Sequence, residues 1–187
     1  MKNALVKRAF TLNGQDSIIY DGILSKVEAI QNAASATVKG MQLGLEWKMG
    51  HGLTLQSVYN IQDGEEELDN GSISPSRHAA PNFGMSSLTW QKQKWTISAI
   101  SQYSAGKTYA QLAPEEQNKP ELYAVDTDGK PYSPSWWIVS LKTAYRLTNH
   151  FNLQAGVENI TDQRYRPYSS GIAAAGRNFI ISATCKL

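Results

Sequence analysis

The chain has 187 residues, of which 18 are basic and 16 acidic, so its net charge is only +2. That balance gives no electrostatic case for nucleic-acid binding, and the single cysteine, Cys185, cannot form an internal disulfide. No stretch approaches the roughly 18 apolar residues of a membrane-spanning helix, and the basic first residues lack the apolar core of a secretory signal.

The N-terminal region, residues 1–36, has the least regular pattern of the chain. Its NGQD stretch (13–16) favours a turn or loop, so we expect either a further hairpin or a loop here. The AIQNAASA stretch (29–36) has weak helical propensity. No segment of the chain predicts a long helix.

From residue 37 onward, apolar and polar residues alternate with period two, which is typical of β-strands. Leu45 and Trp47, for example, alternate with Glu46 and Lys48. Seven segments predict strands, namely 41–49, 53–61, 81–90, 95–103, 137–147, 151–157 and 179–187. In the third of them, PNFGMSSLTW, the apolar residues change phase between Met85 and Leu88, which predicts a β-bulge.

The connections between these strands alternate in length. Those near 50, 92 and 149 are short, whereas those at about 63–80, 106–133 and 160–175 are long and polar. Short turns on one side and long loops on the other are the layout of an outer-membrane barrel, with periplasmic turns and external loops. A soluble barrel has the same alternation with its apolar face turned inward.

The aromatic residues favour the membrane alternative. Trp95 and Tyr103 are eight residues apart on one strand, and Trp137 and Tyr145 are eight apart on another. In a tilted strand this spacing rises by about 20 Å, which compares with an apolar band of about 25 Å between two aromatic girdles. We therefore predict an all-β fold, an antiparallel up-and-down meander forming a partial transmembrane β-barrel of roughly seven to nine strands.

The C-terminal stretch resembles the end of TonB-dependent outer-membrane receptors. In that family, a strand ending in Asn-(Leu/Ile)-x-Asp leads into a Tyr-containing loop, then Gly-Arg-x-Phe and a final alternating strand. The matching residues here are Asn159, Ile160, Asp162, Arg164, Tyr165, Gly176, Arg177, Asn178 and Phe179. The RHAAPNFG run (77–84) also looks like the family. The resemblance is strong after residue 151 and weak before residue 37, and the motif is expected to be structural.

The resemblance implies a location in the bacterial outer membrane, with lipid around the barrel. The family also has an N-terminal plug, a TonB-contacting segment and a barrel of about 22 strands, for which 187 residues leave no room. Residues 1–187 are therefore expected to be a C-terminal barrel segment whose plug and remaining strands are absent. The implied function is import of a scarce bulky nutrient, an iron-siderophore, haem or vitamin chelate, driven by TonB through the plug.

The best candidates for ligand contact are aromatic residues in the long loop 107–134 and its border, because external loops on a rigid scaffold carry recognition. They are Tyr109, Tyr123, Tyr132 and Trp136, together with His78 of the preceding long loop. No catalytic set, cofactor motif or metal-ligand spacing is found, so an enzyme is not expected.

Two groups of charged residues receive simpler interpretations. The DGEEELD run (63–69) is predicted to be a solvated loop tip. Four residues on the polar face are expected to line the lumen and to pair with each other or with the plug; they are Glu46, Lys142, Arg146 and Glu158.

Two alternatives stay open at this point. A small closed eight-stranded barrel, acting in binding or adhesion, requires one strand before residue 37 and pairing of the first and last strands. An outer-membrane lipid-modifying enzyme requires a catalytic constellation that the sequence does not show.

Overall fold

The computed structural model of the protein describes residues 2–68, 71–77 and 79–186, without side chains for 2–8 and 31–34. No helix in this part of the chain is long and apolar enough to span a membrane. The strands are β1 (Lys2–Ala9), β2 (Ser17–Tyr20), β3 (Ile23–Lys26), β4 (Glu28–Gly50), β5 (Leu53–Glu67), β6 (Ile73–Pro75), β7 (Phe83–Lys92), β8 (Trp95–Ser104), β9 (Ala124–Val125), β10 (Pro131–Tyr132), β11 (Trp136–Arg146), β12 (Phe151–Glu158) and β13 (Asn178–Cys185). The helical elements are a 3₁₀ turn (Tyr109–Gln111) and a short helix α1 (Pro114–Gln117).

The main sheet is an antiparallel meander in the order β1-β4-β5-β7-β8-β11-β12-β13, with β6 added to the end of β5. All seven predicted strands are present in it, which confirms the all-β assignment. Within the described residues, β1 and β13 are the two ends of the sheet and do not pair. The sheet is therefore open, and the pairing that a small closed barrel needs is not found in the described part of the chain.

The three short connections are tight turns, as predicted. At the first of them, Gly50, His51 and Gly52 all have positive φ, of +86°, +50° and +83°. A Cβ on Gly52 would collide with the backbone carbonyl of Gln91, while the Gly52 carbonyl accepts the Gln91 amide at 2.8 Å. Only glycine therefore combines this backbone angle with this close approach of the neighbouring strand.

The predicted bulge in β7 is wrong. Its register with β5 and β8 is unbroken from Phe83 to Trp90, and a shift occurs instead between Lys48 and Gly50 at the turn. Met85 and Leu88 simply lie on opposite faces of a regular strand, because side chains alternate between faces. The phase change in the sequence therefore reflects apolar residues that lie on one face at the start of β7, at Phe83 and Met85, and on the other face at its end, at Leu88 and Trp90.

The solvated loop tip predicted at 63–69 is also wrong for its first five residues. Residues 63–67 continue β5, in which residues 63–66 pair with β4 and residues 65–67 pair with β6 on the other edge. Glu66 is only 5% exposed, and Ser35 donates a hydrogen bond to the carboxylate of Glu67 at 3.3 Å. Asp69 lies outside the described residues. The long β4–β5 ladder extends well past the aromatic row described below.

The N-terminal region is folded as strands. β1 pairs with β4, so the stretch 29–36 is extended and its weak helical propensity is overridden by the ladder. β2 and β3 form a further hairpin, whose turn lies at Asp21 and Gly22 rather than in the stretch 13–16. Leu12 and Gln15 exchange backbone hydrogen bonds around the predicted turn.

One face of the sheet carries the aromatic residues in two rows. The register aligns Leu43, Tyr59, Gly84, Tyr103 and Trp137 across five neighbouring strands near the long-loop end. Tyr59 and Tyr103 stack across Gly84 with ring centroids 5.9 Å apart. At the short-turn end, the ring centroids of Trp95 and Tyr145 are 4.5 Å apart. The two predicted aromatic rows are confirmed.

The opposite face is more polar and is covered in part by a loop. Lys142 and Glu158 form an ion pair there at 2.7 Å, as expected for lumen-lining charges. A cavity of about 260 Å³ separates this face from the loop that follows β12, with Ile138 on the sheet side and Tyr165 on the loop side. The loop therefore folds over the inner face, and the apolar aromatic face is the outer one.

Candidate ligand-binding loops

Two long loops meet above the sheet. Loop A comprises residues 105–135 between β8 and β11, and loop B comprises residues 159–177 between β12 and β13. Because β8, β11 and β12 are neighbours in the sheet, the loops leave it side by side. They are in direct contact, since Arg166 of loop B donates to the Glu121 carbonyl of loop A at 3.3 Å. The ring of Tyr165 in loop B also lies 4.4 Å from that of Trp136, the first residue of β11.

Loop A is a folded unit with a small core of its own. Its base is closed by Lys107 and Ser133, whose backbones exchange two hydrogen bonds of 2.9 Å. Leu112 and Ala113 are completely buried, and the Gln117 side chain donates to the carbonyls of Tyr109 and Leu112. The loop therefore has a defined shape rather than an extended course between two strands.

A buried carboxylate at the centre of loop A joins it to loop B. Glu116 is only 1% exposed. It accepts the Tyr123 hydroxyl on Oε1 and the Tyr168 hydroxyl on Oε2, each at 2.8 Å, and the Ala113 amide at 3.3 Å. Tyr123 belongs to loop A and Tyr168 to loop B, so a single carboxylate binds both loops.

Both phenols are held in the protonated form. Burial raises the pKa of Tyr123 to about 12, and its hydrogen bond to Glu116 adds to the rise. Burial also raises the pKa of Tyr168, again with help from the hydrogen bond to Glu116 and its charge. At neutral pH each hydroxyl is therefore a donor to the carboxylate, and such charge-assisted hydrogen bonds are among the stronger ones.

Lys107 adds a cation to this cluster. Its ammonium lies 5.1 Å from the centroid of the Tyr168 ring, within the range of a cation–π contact. Burial lowers the pKa of Lys107, and the charges of Glu116 and Asp63 oppose that shift.

The family motif forms the base of loop B. Asn159 is 2% exposed with φ +48°. Its side-chain amide donates to the Gln163 carbonyl at 2.8 Å and accepts the Gln163 backbone amide at 3.0 Å. The carboxylate of Asp162 accepts the Arg177 amide at 2.7 Å. A Cβ on Gly176 would lie 2.6 Å from Asp162 Oδ1. These contacts close the loop where it leaves and rejoins the sheet, and they give the motif residues a local structural explanation.

A cavity of about 260 Å³ lies between the loops. Loop A and the start of β11 contribute Leu122, Tyr123, Ala124, Ser133, Pro134, Ser135 and Trp136, and loop B contributes Arg164, Tyr165, Arg166, Pro167 and Ser169. Among these described residues there are two arginines and no acidic side chain. The cavity therefore favours a negatively charged group with aromatic or apolar parts.

The sequence-predicted contact residues divide between two places. Tyr123 and Trp136 line this cavity. Tyr109 and Tyr132 line a separate cleft of about 460 Å³ beside Lys107. His78 lies outside the described residues.

The sequence interpretation missed Arg166 and Glu116. The repeated Arg-Tyr-Arg pattern at 164–166 was a usable signal, because it places two cations beside a ring in one loop. Glu116 had no such signal, since PEEQ reads as the exposed start of a helix.

The open antiparallel sheet, its apolar outer face and its long loops on one side define a segment of an outer-membrane barrel. Residues 8–160 match the family described as TonB dependent receptor-like, beta-barrel. The chain belongs to this family. Its members are transporters of the bacterial outer membrane rather than enzymes, and the outer-membrane localisation predicted from the sequence is confirmed.

One relative of known name aligns with nearly the whole chain. It is 28% identical over 185 residues to heme/hemopexin utilization protein C of Haemophilus influenzae (strain 86-028NP), which is 95% of this chain and 23% of that protein. The chain spans about a quarter of the length of such relatives.

Solved structures show the same fold at lower identity. The copper transporter OprC superposes with a TM-score of 0.68 at 17% identity, over 84% of this chain and 24% of OprC. A variant of the ferric enterobactin receptor PfeA from Pseudomonas aeruginosa, bound to enterobactin, gives 0.66 at 18% identity, over 98% and 27%. The FrpB iron transporter of Neisseria meningitidis gives 0.66 at 16% identity, over 98% and 26%.

Proposed function

We propose that the chain is part of an outer-membrane receptor that imports a bulky metal chelate, namely an iron-siderophore, haem or a vitamin chelate. The cavity between loops A and B contacts that ligand. Membership of the TonB-dependent receptor family supports the general kind of function. The copper, ferric enterobactin and haem relatives named above support a metal-containing ligand in particular.

The observation that carries the proposal is the paired arginines beside aromatic rings. Arg164 and Arg166 flank Tyr165, whose ring lies 4.4 Å from that of Trp136. A guanidinium presents several fixed donors to carboxylate or catecholate oxygens, and aromatic rings supply rigid contact area. A cavity of about 260 Å³ is slightly smaller than the usual ligand site of about 300 Å³ or more. It therefore holds one side of a larger ligand.

The open edges of the sheet support a larger assembly. Backbone groups at a membrane-spanning edge need hydrogen-bond partners, because lipid offers none. We accordingly propose that β1 and β13 pair with further barrel strands, and that a plug occupies the lumen next to Lys142 and Glu158. TonB would act through that plug, and residues 1–187 would be the C-terminal segment of the barrel.

The remaining sequence candidates have a secondary place in this proposal. Tyr109 and Tyr132 lie in the neighbouring cleft, where they can contact a part of the ligand that extends beyond the cavity. His78 stays a prediction.

The test is ligand binding to outer membranes that contain the protein, with the ferric complex of a tris-catecholate and haem as the two probes. Arg164→Ala and Arg166→Ala each remove a charged donor, so affinity for the recognised probe should fall about tenfold. Arg146→Ala is the matched control, because Arg146 is an exposed arginine at the short-turn end of β11. Unchanged affinity in both cavity variants, for a probe that the protein binds, would falsify the assignment of this cavity.

A further inference from the structure

We propose that Glu116 is a latch between loops A and B, and that it positions the Arg164–Arg166 segment across the cavity. The carboxylate binds one phenol from each loop, Tyr123 and Tyr168, through different oxygens at 2.8 Å. The positioning role rests on the function proposed above, whereas the latch itself is a property of the loops alone.

Because the Glu116 carboxylate is buried, it depends on hydrogen-bond donors from the protein. A carboxylate that is 1% exposed is costly to bury unless donors compensate for the lost water. Two phenols and the Ala113 amide supply such donors. If loop B moved away, Glu116 would lose the Tyr168 donor, while Leu112 and Ala113 of loop A next to it are completely buried. The docked arrangement of the loops is therefore favoured by the hydrogen bond that Tyr168 donates to this carboxylate.

The arginines lie between two attachment points of loop B. On one side, Gln163 is held by the amide group of Asn159, and its own side chain accepts the Trp137 amide at 3.2 Å. On the other side, Tyr168 donates to Glu116. Only residues 164–167 separate these points. Fixing both ends of so short a segment limits the positions available to the two guanidinium groups.

The same latch places the opposite wall of the cavity. Tyr123 both bonds Glu116 and lines the cavity, and it is 5% exposed. The rings of Tyr123 and Tyr168 lie 6.1 Å apart, and Tyr168 is next in sequence to the lining residues Pro167 and Ser169, so the carboxylate joins the loops beside the cavity. Arg166 donates to the carbonyl of Glu121, which precedes the lining residue Leu122 in loop A, and this bond adds a second link between the loops.

The latch is tested without ligand by measuring the distance between the loops. In a Cys185→Ser background, spin labels on Thr127→Cys and Ile172→Cys report on loops A and B at exposed positions. The measurement is a double electron–electron resonance distance distribution on the full chain in outer membranes. Glu116→Ala should widen the distribution about twofold or more. Tyr168→Phe, which keeps the ring and removes one hydroxyl, should widen it less.

Two further variants make this measurement specific. Glu116→Gln keeps an acceptor oxygen for one phenol, so its distribution should lie between those of the parent and Glu116→Ala. Glu121→Gln changes an exposed carboxylate in the same loop and should leave the distribution unchanged. A distribution for Glu116→Ala that matches the parent overturns the latch.

The positioning role is tested by affinity for the ferric tris-catecholate complex or haem, whichever the parent binds. Glu116→Ala should weaken binding about tenfold although Glu116 does not line the cavity, and Glu116→Gln should recover part of the loss. Parent-like affinity in Glu116→Ala, with weakened binding in Arg164→Ala, overturns the positioning role alone. Parent-like affinity in both arginine variants overturns the proposed function, and the distance measurement still decides the latch.

Discussion

The sheet and the pair of loops above it are held together in different ways. The sheet depends on continuous backbone ladders, such as the ten residue pairs that join β8 to β11. The loops depend on a few side-chain contacts, among them the two phenol bonds to the buried Glu116. The stabilising interactions of the sheet are spread over many residue pairs, whereas those between the loops come from a few side chains.

This difference teaches where single substitutions matter. In the sheet, the backbone hydrogen bonds stay in place when a side chain is replaced. Most replacements on the outer face should therefore change the free energy of unfolding only slightly. The exceptions are turn positions where the backbone itself leaves no room for a side chain. In the loops, a single carboxylate or hydroxyl decides whether two segments remain docked.

The largest expected effect breaks the sheet at its first turn. Gly52→Ala introduces both a side chain at φ +83° and a collision with the Gln91 carbonyl, so it should lower the free energy of unfolding by about 4 kcal/mol or more. The measurement is the urea midpoint of the protein folded in lipid vesicles.

Gly14→Ala is the matched control for this change. Gly14 has a similar φ of +79°, but a Cβ there has no heavy atom within 4 Å. Only the backbone cost of about 1 to 2 kcal/mol should appear. Equal losses in the two variants would show that close packing of the turn against β7 has no role.

The sheet was predictable from the sequence because its rules are periodic. Alternation with period two located seven strands of the main sheet, and the aromatic spacing predicted the outer face. The short strands β6, β9 and β10 lie in segments that were predicted as loops. The errors have a common cause. In both places a residue lies on a face where the alternating pattern does not expect it. In β7 the apolar Met85 faces inward, and at the end of β5 the acidic Glu66 is buried within a ladder.

The second effect loosens the loops at high pH. The pKa of Tyr123 is about 12 in the folded protein and 10.0 in an exposed tyrosine, so the folded form holds this proton more tightly. Its stabilising contribution is complete below pH 10 and is lost as the pH rises from 10 to about 12. The distance distribution between loops A and B should therefore widen over this window.

Tyr123→Phe supplies the comparison for the pH experiment. Without the phenol, that part of the pH dependence disappears, and the remainder belongs to Tyr168, whose pKa is also raised. A parent-like pH profile in Tyr123→Phe would contradict the assignment of this titration to the buried cluster.

The candidate site was predictable only in part. Aromatic composition pointed to Tyr123 and Trp136, because rings in external loops are common ligand contacts. The grouping of Glu116 with Tyr168 could not be read from the sequence, since the two residues are far apart and belong to different loops. That contact follows from strand order, which places loops A and B side by side.

The smallest expected effect concerns the ion pair between Lys142 and Glu158 on the inner face of the sheet. Lys142→Met removes the ion pair with Glu158. The side chain of Lys142 is 47% exposed and that of Glu158 is 37% exposed. A pair this accessible to water should contribute less than about 1 kcal/mol, measured as the shift in urea midpoint in lipid vesicles. A loss above about 2 kcal/mol would mean that the pair is desolvated. In that case other protein would fill the lumen and cover Lys142. The stability of the sheet would then depend on a single ion pair, as the docking of the loops depends on single side chains.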